Sequence, residues 1–237
     1  MEEKGFTLGS PTHVVTVLAC LLVAILLTLW GHRTRSLPDH HSKLRWGIAL
    51  GSLLSWIATV AYGLQPSLFQ WESALPLHFC NLANLIGAVA ILYRSRIAQA
   101  LLYFWSLSLC IWAFLTPFLL VGPNELWFWI FWIYHLFIPV CFCWILFIDG
   151  FRPGWKDLKI ALIFTTGFTL SLAILNAFTG WDYGFVGPGK PGQPSPIDLL
   201  GPYPLRILWM LMIGAALFTL LVLPWTCRRK RQKTETS

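Results

Sequence analysis

The chain has 237 residues, 57% of them hydrophobic and only 11% charged, with a formal net charge of +7 and a mean hydropathy of +0.65. Soluble domains carry about 25% charged residues, so most of this surface does not face water; a soluble enzyme, a disordered chain and a nucleic-acid binder are excluded. Five of the 17 Lys and Arg residues fall in the last ten positions, and a basic cluster beside an apolar segment reads as a cytoplasmic membrane flank.

A membrane-spanning helix needs about 20 apolar residues to cross roughly 30 Å of hydrocarbon. Seven stretches qualify in chain order: residues 12–30, 46–64, 75–93, 99–121, 126–148, 158–178 and 205–225. The expected fold is all-α, one polytopic bundle over residues 12–225, with a short extracytoplasmic leader at 1–11 and a basic cytoplasmic tail at 226–237. The leader carries Glu2 and Glu3 beside Lys4, so it lacks the positive n-region of a cleaved signal peptide. Between the sixth and seventh spans lies a Gly- and Pro-rich loop, residues 179–204, of a length often used for a lid. Alternate connecting segments hold 14 and 3 of the Lys and Arg residues. The positive-inside rule then puts the N-terminus outside and the C-terminus in the cytoplasm of a cell-membrane protein.

Charged side chains are almost absent from the middles of the spans, which argues against a proton- or sodium-coupled transporter built on ionised groups. The remaining polar residues gather in the outer halves. The third span opens Leu75-Pro76-Leu77-His78-Phe79-Cys80-Asn81-Leu82-Ala83-Asn84, the fourth carries Thr116-Pro117, the fifth His135, and the sixth ends at Asn176. Polar groups in hydrocarbon are costly unless partnered, so one shared outer cavity is expected, capped by a loop carrying Asp182, Tyr183, Lys190 and Asp198. At 100° per residue Cys80, Asn84 and Gly87 form one stripe, while His78 points about 160° away from Cys80. His78 is therefore no base for Cys80. His135 starts about 14 Å into its span and Cys80 about 8 Å into its own, comparable depths at 1.5 Å per residue.

A cysteine beside a histidine is the minimal activated thiolate nucleophile, and an intramembrane histidine is a functional candidate by default. The alternatives are a thiol packed as a small hydrophobe and a histidine bonded across helices. Cys20 and Cys110 have no polar company in the sequence; Cys141 and Cys143 face different sides of their helix. Pro139 frees the carbonyl of His135 and Pro117 that of Ala113, and interrupted helices at membrane depth border protein or a cavity. His32, His40 and His41 have no diagnostic ligand spacing, and no metal site is expected.

Leu75–Leu82 as quoted, followed by Tyr103-Phe104-Trp105, Leu115-Thr116-Pro117, Tyr134-His135, Asn176, Lys190-Pro191 and Leu199-Leu200-Gly201-Pro202-Tyr203-Pro204, resembles the YwaF-like bacterial integral membrane family. More remotely it is similar to the transmembrane protein 164 acyltransferases. The resemblance covers roughly residues 75–206. In the acyltransferase branch it implies a Cys and a His as the catalytic pair of phospholipid acyl transfer, positions occupied here by Cys80 and His135. The chain departs from that branch at Cys80-Asn81, where a Cys-His pair is implied. Its Trp181-Asp182-Tyr183 departs from the Asn-Tyr of the bacterial family.

Two functions follow as expectations. One is a phospholipid acyltransferase or acyl hydrolase with membrane lipids as partners and no cofactor. Cys80 attacks and His135 serves as base and then acid; Asn81, Asn84 and Thr116 orient His135 or stabilise the oxyanion. Asn176, Lys190 and Asp198 lie on the substrate side. The other is a non-catalytic transporter or binder of a small or lipidic ligand in the same cavity. The sequence carries no signal of oligomeric state.

Overall fold

In a computed structural model the described residues are 6–189 and 196–235, without the side chains of residues 196 and 228–235. The start of the expected leader, Lys190 and the end of the tail lie outside them. Among the described residues the protein is all-helical, and seven helical stretches are long and apolar enough to cross a membrane. The elements are α1 (Pro11–Arg33), α2 (Pro38–Gly63), α3 (Trp71–Ala74), α4 (Phe79–Tyr93), α5 (Arg96–Ser108), α6 (Trp112–Leu115), α7 (Leu126–Cys143), α8 (Trp155–Thr179) and α9 (Leu205–Glu235).

Local chemistry sets the helix starts. Ser10 accepts the backbone N–H of His13 at 3.2 Å with Pro11 opening α1, and Ser95 caps α5 by accepting from Ala98 at 3.5 Å. Such caps satisfy first-turn donors that have no intrahelical partner. At the start of α8 the Asp157 carboxylate accepts from Gly154 N–H at 2.8 Å. It also takes Arg96 at 2.8 and 2.6 Å.

Two spans are interrupted, and both interruptions lie toward the same end of the bundle. The third consists of α3, an extended stretch Leu75–His78 and then α4. Pro76 disfavours helical geometry at Leu75, which is extended with ψ 139°. The fourth consists of α5, a turn at Leu109–Ile111 and α6. The amides of Leu109 and Cys110 both donate to the Trp105 carbonyl, at 2.9 and 2.8 Å, a widened last turn that cannot continue as an α-helix. The helix then ends at Leu115, short of the expected residue 121, because Pro117 pushes Thr116 out of the helical region, to φ −139° and ψ 66°. Pro117 therefore follows the helix rather than kinking it, and the break falls earlier, at a site with no Pro or Gly.

Pro139 lies inside α7, which passes into a wider π-helical turn at Trp144–Ile148. Arginine side chains cover the carbonyls there: Arg35 donates to Phe147 at 2.9 Å and also to Ile148, and Arg152 donates to Leu146 at 2.6 Å. At the same end Asp149 binds Arg45 and Arg94, each at 3.0 Å. This is the charged end of the bundle; the opposite end carries the interruptions and the loop after α8.

The interior is built by α4, α5 and α7, with α2 packed on α4 and α7 and α8 packed on α5. The outward faces of α1 and α9 are apolar, with Leu18, Leu22, Ile25, Leu208, Met212 and Leu220 all exposed, as lipid-facing helices require. The approach of α4 to α7 is set by Gly87, where a Cβ would come within 3.1 Å of Cys141 Cβ and Sγ.

Candidate functional site

The interrupted spans bring two thiols and an imidazole together. Cys80 is the second residue of α4, directly after the extended segment, and Cys110 sits in the turn between α5 and α6. The Cys80 thiol has Cys110 and His135 as polar neighbours. Cys110 and His135 are buried, at 1% and 6% exposure, and Cys80 is half-buried.

The tautomer of His135 follows from its other contact. Its Nδ1 lies 2.7 Å from the carbonyl of Phe131. A carbonyl only accepts, so Nδ1 carries the proton and Nε2 keeps the lone pair. The ring is held by Phe131 and Tyr134, with centroids 4.2 and 4.6 Å away, and by Phe114 of α6 at 6.4 Å.

Asn84 joins the helices that carry the pair. Fully buried, it donates to the Cys80 carbonyl at 3.3 Å and to the Tyr134 carbonyl at 3.1 Å. Its own Oδ1 and carbonyl accept from Ser52 of α2 at 2.9 and 3.0 Å. One side chain thus couples the turn holding Cys80 to the turn holding His135, fixing their relation without touching either reactive atom. Asn81 differs: it is buried, and its Oδ1 has no hydrogen-bond partner among the described residues. A buried acceptor without a donor is uncommon.

The helix start supplies further donors. Asn81 and Leu82 N–H are taken by the His78 carbonyl at 2.9 and 3.3 Å. Among the described residues the N–H groups of Phe79 and Cys80 have no acceptor, and they lie at the positive end of the helix dipole. His78 holds the N-cap position, and its Nδ1 accepts from Gly184 N–H at 3.4 Å. Its ring packs on Tyr183 and Phe185, placing it in the packing under the loop.

The loop after α8 closes over this end. Asn176 accepts from Tyr183 N–H at 3.1 Å and donates to the Tyr183 carbonyl at 2.8 Å. The Tyr183 hydroxyl donates to Trp71 at 2.5 Å and accepts from Leu75 N–H at 2.9 Å. Burial raises this phenol above its ordinary value, keeping it a proton donor at neutral pH. Asp198 binds Arg206 at 2.6 Å, and Arg206 also donates to Gly187 at 2.5 Å. Asn176 and Asp198 thus anchor the loop. Thr116 is exposed and bonds back to Trp112 at 3.4 Å. Of the residues proposed from sequence, the structure gathers Cys80, His135 and Asn84, keeps Asn81 next to Cys80 in the chain, and sets Thr116, Asn176 and Asp198 apart; Lys190 lies outside the described residues.

Sequence reasoning gave Cys110 no polar company, whereas Cys80 is its neighbour. The break that carries Cys110 inward has no Pro or Gly to announce it; only its depth, matching that of Cys80 from the same end, was a signal. A narrow cleft of about 50 Å³ runs beside the site, with Phe79 and Leu109 on one side, Thr165 and Thr169 of α8 opposite, and Met210 and Gly214 of α9 completing it. Each cysteine is one residue from its wall.

These features define a polytopic membrane protein of seven apolar spans, with Cys80, Cys110 and His135 gathered toward one end as a candidate site. The model of the TMEM164 family matches residues 8–222, and the chain belongs to that family. The match reaches from α1 to the last apolar turns of α9, well beyond the segment carrying the motif resemblance, and it falls on the branch that those motifs placed more remotely. No curated protein and no solved structure matches the chain.

Proposed function

We propose that the protein is a membrane lipid acyltransferase or acyl hydrolase in which Cys80 is the nucleophile and His135 the general base. The observation that carries this reading is the seat of His135 as a neighbour of the Cys80 thiol, its Nδ1 committed to the Phe131 carbonyl and Asn84 tying the two turns together. A base oriented by a third group is the recurring arrangement of covalent catalysis.

His135 Nε2 takes the thiol proton as Cys80 sulfur attacks the ester carbonyl of a lipid. The oxyanion forms at the start of α4, within reach of the free Phe79 and Cys80 N–H groups. Removing one such donor from a dry site costs about 3–4 kcal/mol of barrier. His135 then gives its proton to the departing alkoxide, leaving an acyl thioester on Cys80. A lipid hydroxyl, or water, attacks the thioester while His135 takes its proton and returns it to the thiol. Asn81 Oδ1 is the acceptor that holds the incoming hydroxyl, and Asn84 holds Cys80 and His135 in register. The expected Lys190 contact to a lipid phosphate belongs to the same reading. So does the outward orientation of this end, which rests on the distribution of Lys and Arg.

Purified protein in liposomes of one defined phospholipid plus one lysophospholipid tests the proposal. Time-dependent acyl redistribution is expected with the parent and not with Cys80→Ala. Redistribution that survives Cys80→Ala removes the nucleophile. Lipid binding that is unchanged by Cys80→Ala and His135→Ala, with no acyl change in the parent, points instead to a lipid binder.

A further inference from the structure

At the charged end of the bundle the last helix is perturbed in a way the catalytic reading does not use. Pro224 lies inside α9; it has no N–H for the Leu220 carbonyl, and its ring crowds that carbonyl. From α5, the Tyr103 hydroxyl donates to the neighbouring Leu221 carbonyl at 3.0 Å and accepts from Trp225 Nε1 at 3.0 Å. Tyr103, Leu220, Leu221, Pro224 and Trp225 line an open groove of about 300 Å³, a volume at the lower end of the range for ligand sites. The phenol and the indole N–H are spent on each other and on α9, so the groove presents a mainly apolar wall. We propose that this groove and the arginines at its rim bind an anionic phospholipid, with one acyl chain along the Pro224 turn and the phosphate at Arg152.

Charge complementarity selects that occupant. The Arg152 guanidinium lies over the Trp225 ring, 4.8 Å from its centroid, so a cation stands where the groove meets the charged end. Its Nη1 donates to the Leu146 and Phe151 carbonyls at 2.6 and 2.8 Å. Carbonyl partners fix a guanidinium without cancelling its charge, and its planar fork suits a phosphate. Arg96 stands beside it: its Nη2 donates to the Arg152 carbonyl at 2.9 Å, and its guanidinium lies 4.7 Å over the Phe151 ring. More than half of the Arg96 side chain is exposed.

The carboxylates of this end are turned inward. The Asp149 and Asp157 side chains are 2% and 4% exposed, and each is held by arginine. Residues 33–45, 94–96 and 149–159 together carry nine Lys and Arg against three Asp, so the exposed charge is cationic. A zwitterionic lipid fits the groove but gains little from that charge; a soluble anion gains the charge but leaves the groove empty. Basic pockets between spanning helices are a general form of anionic-lipid site. The site lies at the end of the bundle opposite Cys80 and does not depend on its chemistry.

The full chain in phosphatidylcholine liposomes tests this. A trace of phosphatidylglycerol or of phosphatidylcholine is added as probe, each with a photoactivatable diazirine in the first half of one acyl chain. After irradiation the labelled peptides are mapped by mass spectrometry. Label is expected on Tyr103 and on Leu220–Trp225, about fivefold more from the phosphatidylglycerol probe, the preference that one basic side chain gives at a membrane surface. Arg152→Gln is expected to bring the two probes level, and Arg152→Lys to keep a preference. Leu220→Trp, at an exposed position of the groove wall, is expected to remove the label of both probes. Thermal unfolding in detergent reports the folding of each variant; if Arg152→Gln does not fold, the parental probe ratio and Leu220→Trp decide. Equal labelling of this segment by the two probes in the parent, or a preference that survives in folded Arg152→Gln, overturns the site and leaves ordinary lipid contact.

Discussion

In the proposed reaction Cys80 depends on the neighbouring residues that hold it. His135 is fixed through Nδ1 to Phe131, and Asn84 ties the two turns together. Replacing Cys80 or His135 by Ala is expected to lower the acyl-transfer rate by about 10³-fold or more, as for linked groups of a nucleophile–base unit. The two losses should not add, and the rate of the double variant checks this. Asn84→Ala leaves Ser52 and two carbonyls without their partner in a buried place. It should reduce stability by about 1–3 kcal/mol, read from the unfolding midpoint in detergent, and should lower kcat more than it raises KM. Unchanged stability and kcat would deny Asn84 its positioning role.

At the scale of elements, the site exists because helices stop. α3 and α4 are separated at Pro76, and α5 and α6 at a turn with no breaking residue. The first break was marked in the sequence by Pro76, though the third span was expected to open there rather than to be broken. The second was not, because the turn at Leu109–Ile111 is set by packing, and the visible Pro117 pointed too far along the chain. Cys110 was therefore read as isolated. The comparable depth of Cys80 and His135 was legible from their positions in the spans, whereas Asn84 and Ser52 bond across helices, which one sequence does not display. The α4–α7 contact carries its own expectation. Gly87→Ala brings a Cβ to 3.1 Å from Cys141, an overpacking that costs about 1–3 kcal/mol. It should also weaken the Cys80–His135 approach, seen as slower alkylation of Cys80 by iodoacetamide. Alkylation at the parental rate would show that helix spacing does not set thiol activation.

The whole molecule is a bundle with two unlike ends. One end holds Cys80, Cys110 and His135 toward a loop pinned by Tyr183, Asn176 and Arg206. The other end is crossed by Arg45, Arg94 and Arg96 with Asp149 and Asp157. Seven spans were visible in composition and length alone, since the bilayer fixes helix length; which side of the bundle each span occupies was not, because lipid and protein interiors are equally apolar. Burial raises the Asp149 carboxyl above its ordinary value, against the pull of Arg45 and Arg94. The folded protein thus binds this proton more tightly than the unfolded chain. Its contribution to stability is full below the unfolded value of about 3.9 and is lost as pH rises through the folded value. Thermal unfolding in detergent should show stability declining just above pH ~4, and Asp149→Asn should remove that slope; a slope that persists would assign it to another group.

The most direct measurement is acid-quenched intact mass spectrometry of the full chain after mixing with a phospholipid of a single acyl type. A covalent adduct with the mass of that acyl group is predicted on Cys80, labile to hydroxylamine, absent from Cys80→Ala and strongly reduced in His135→Ala. Acyl transfer that proceeds with no thioester on Cys80 would contradict the account.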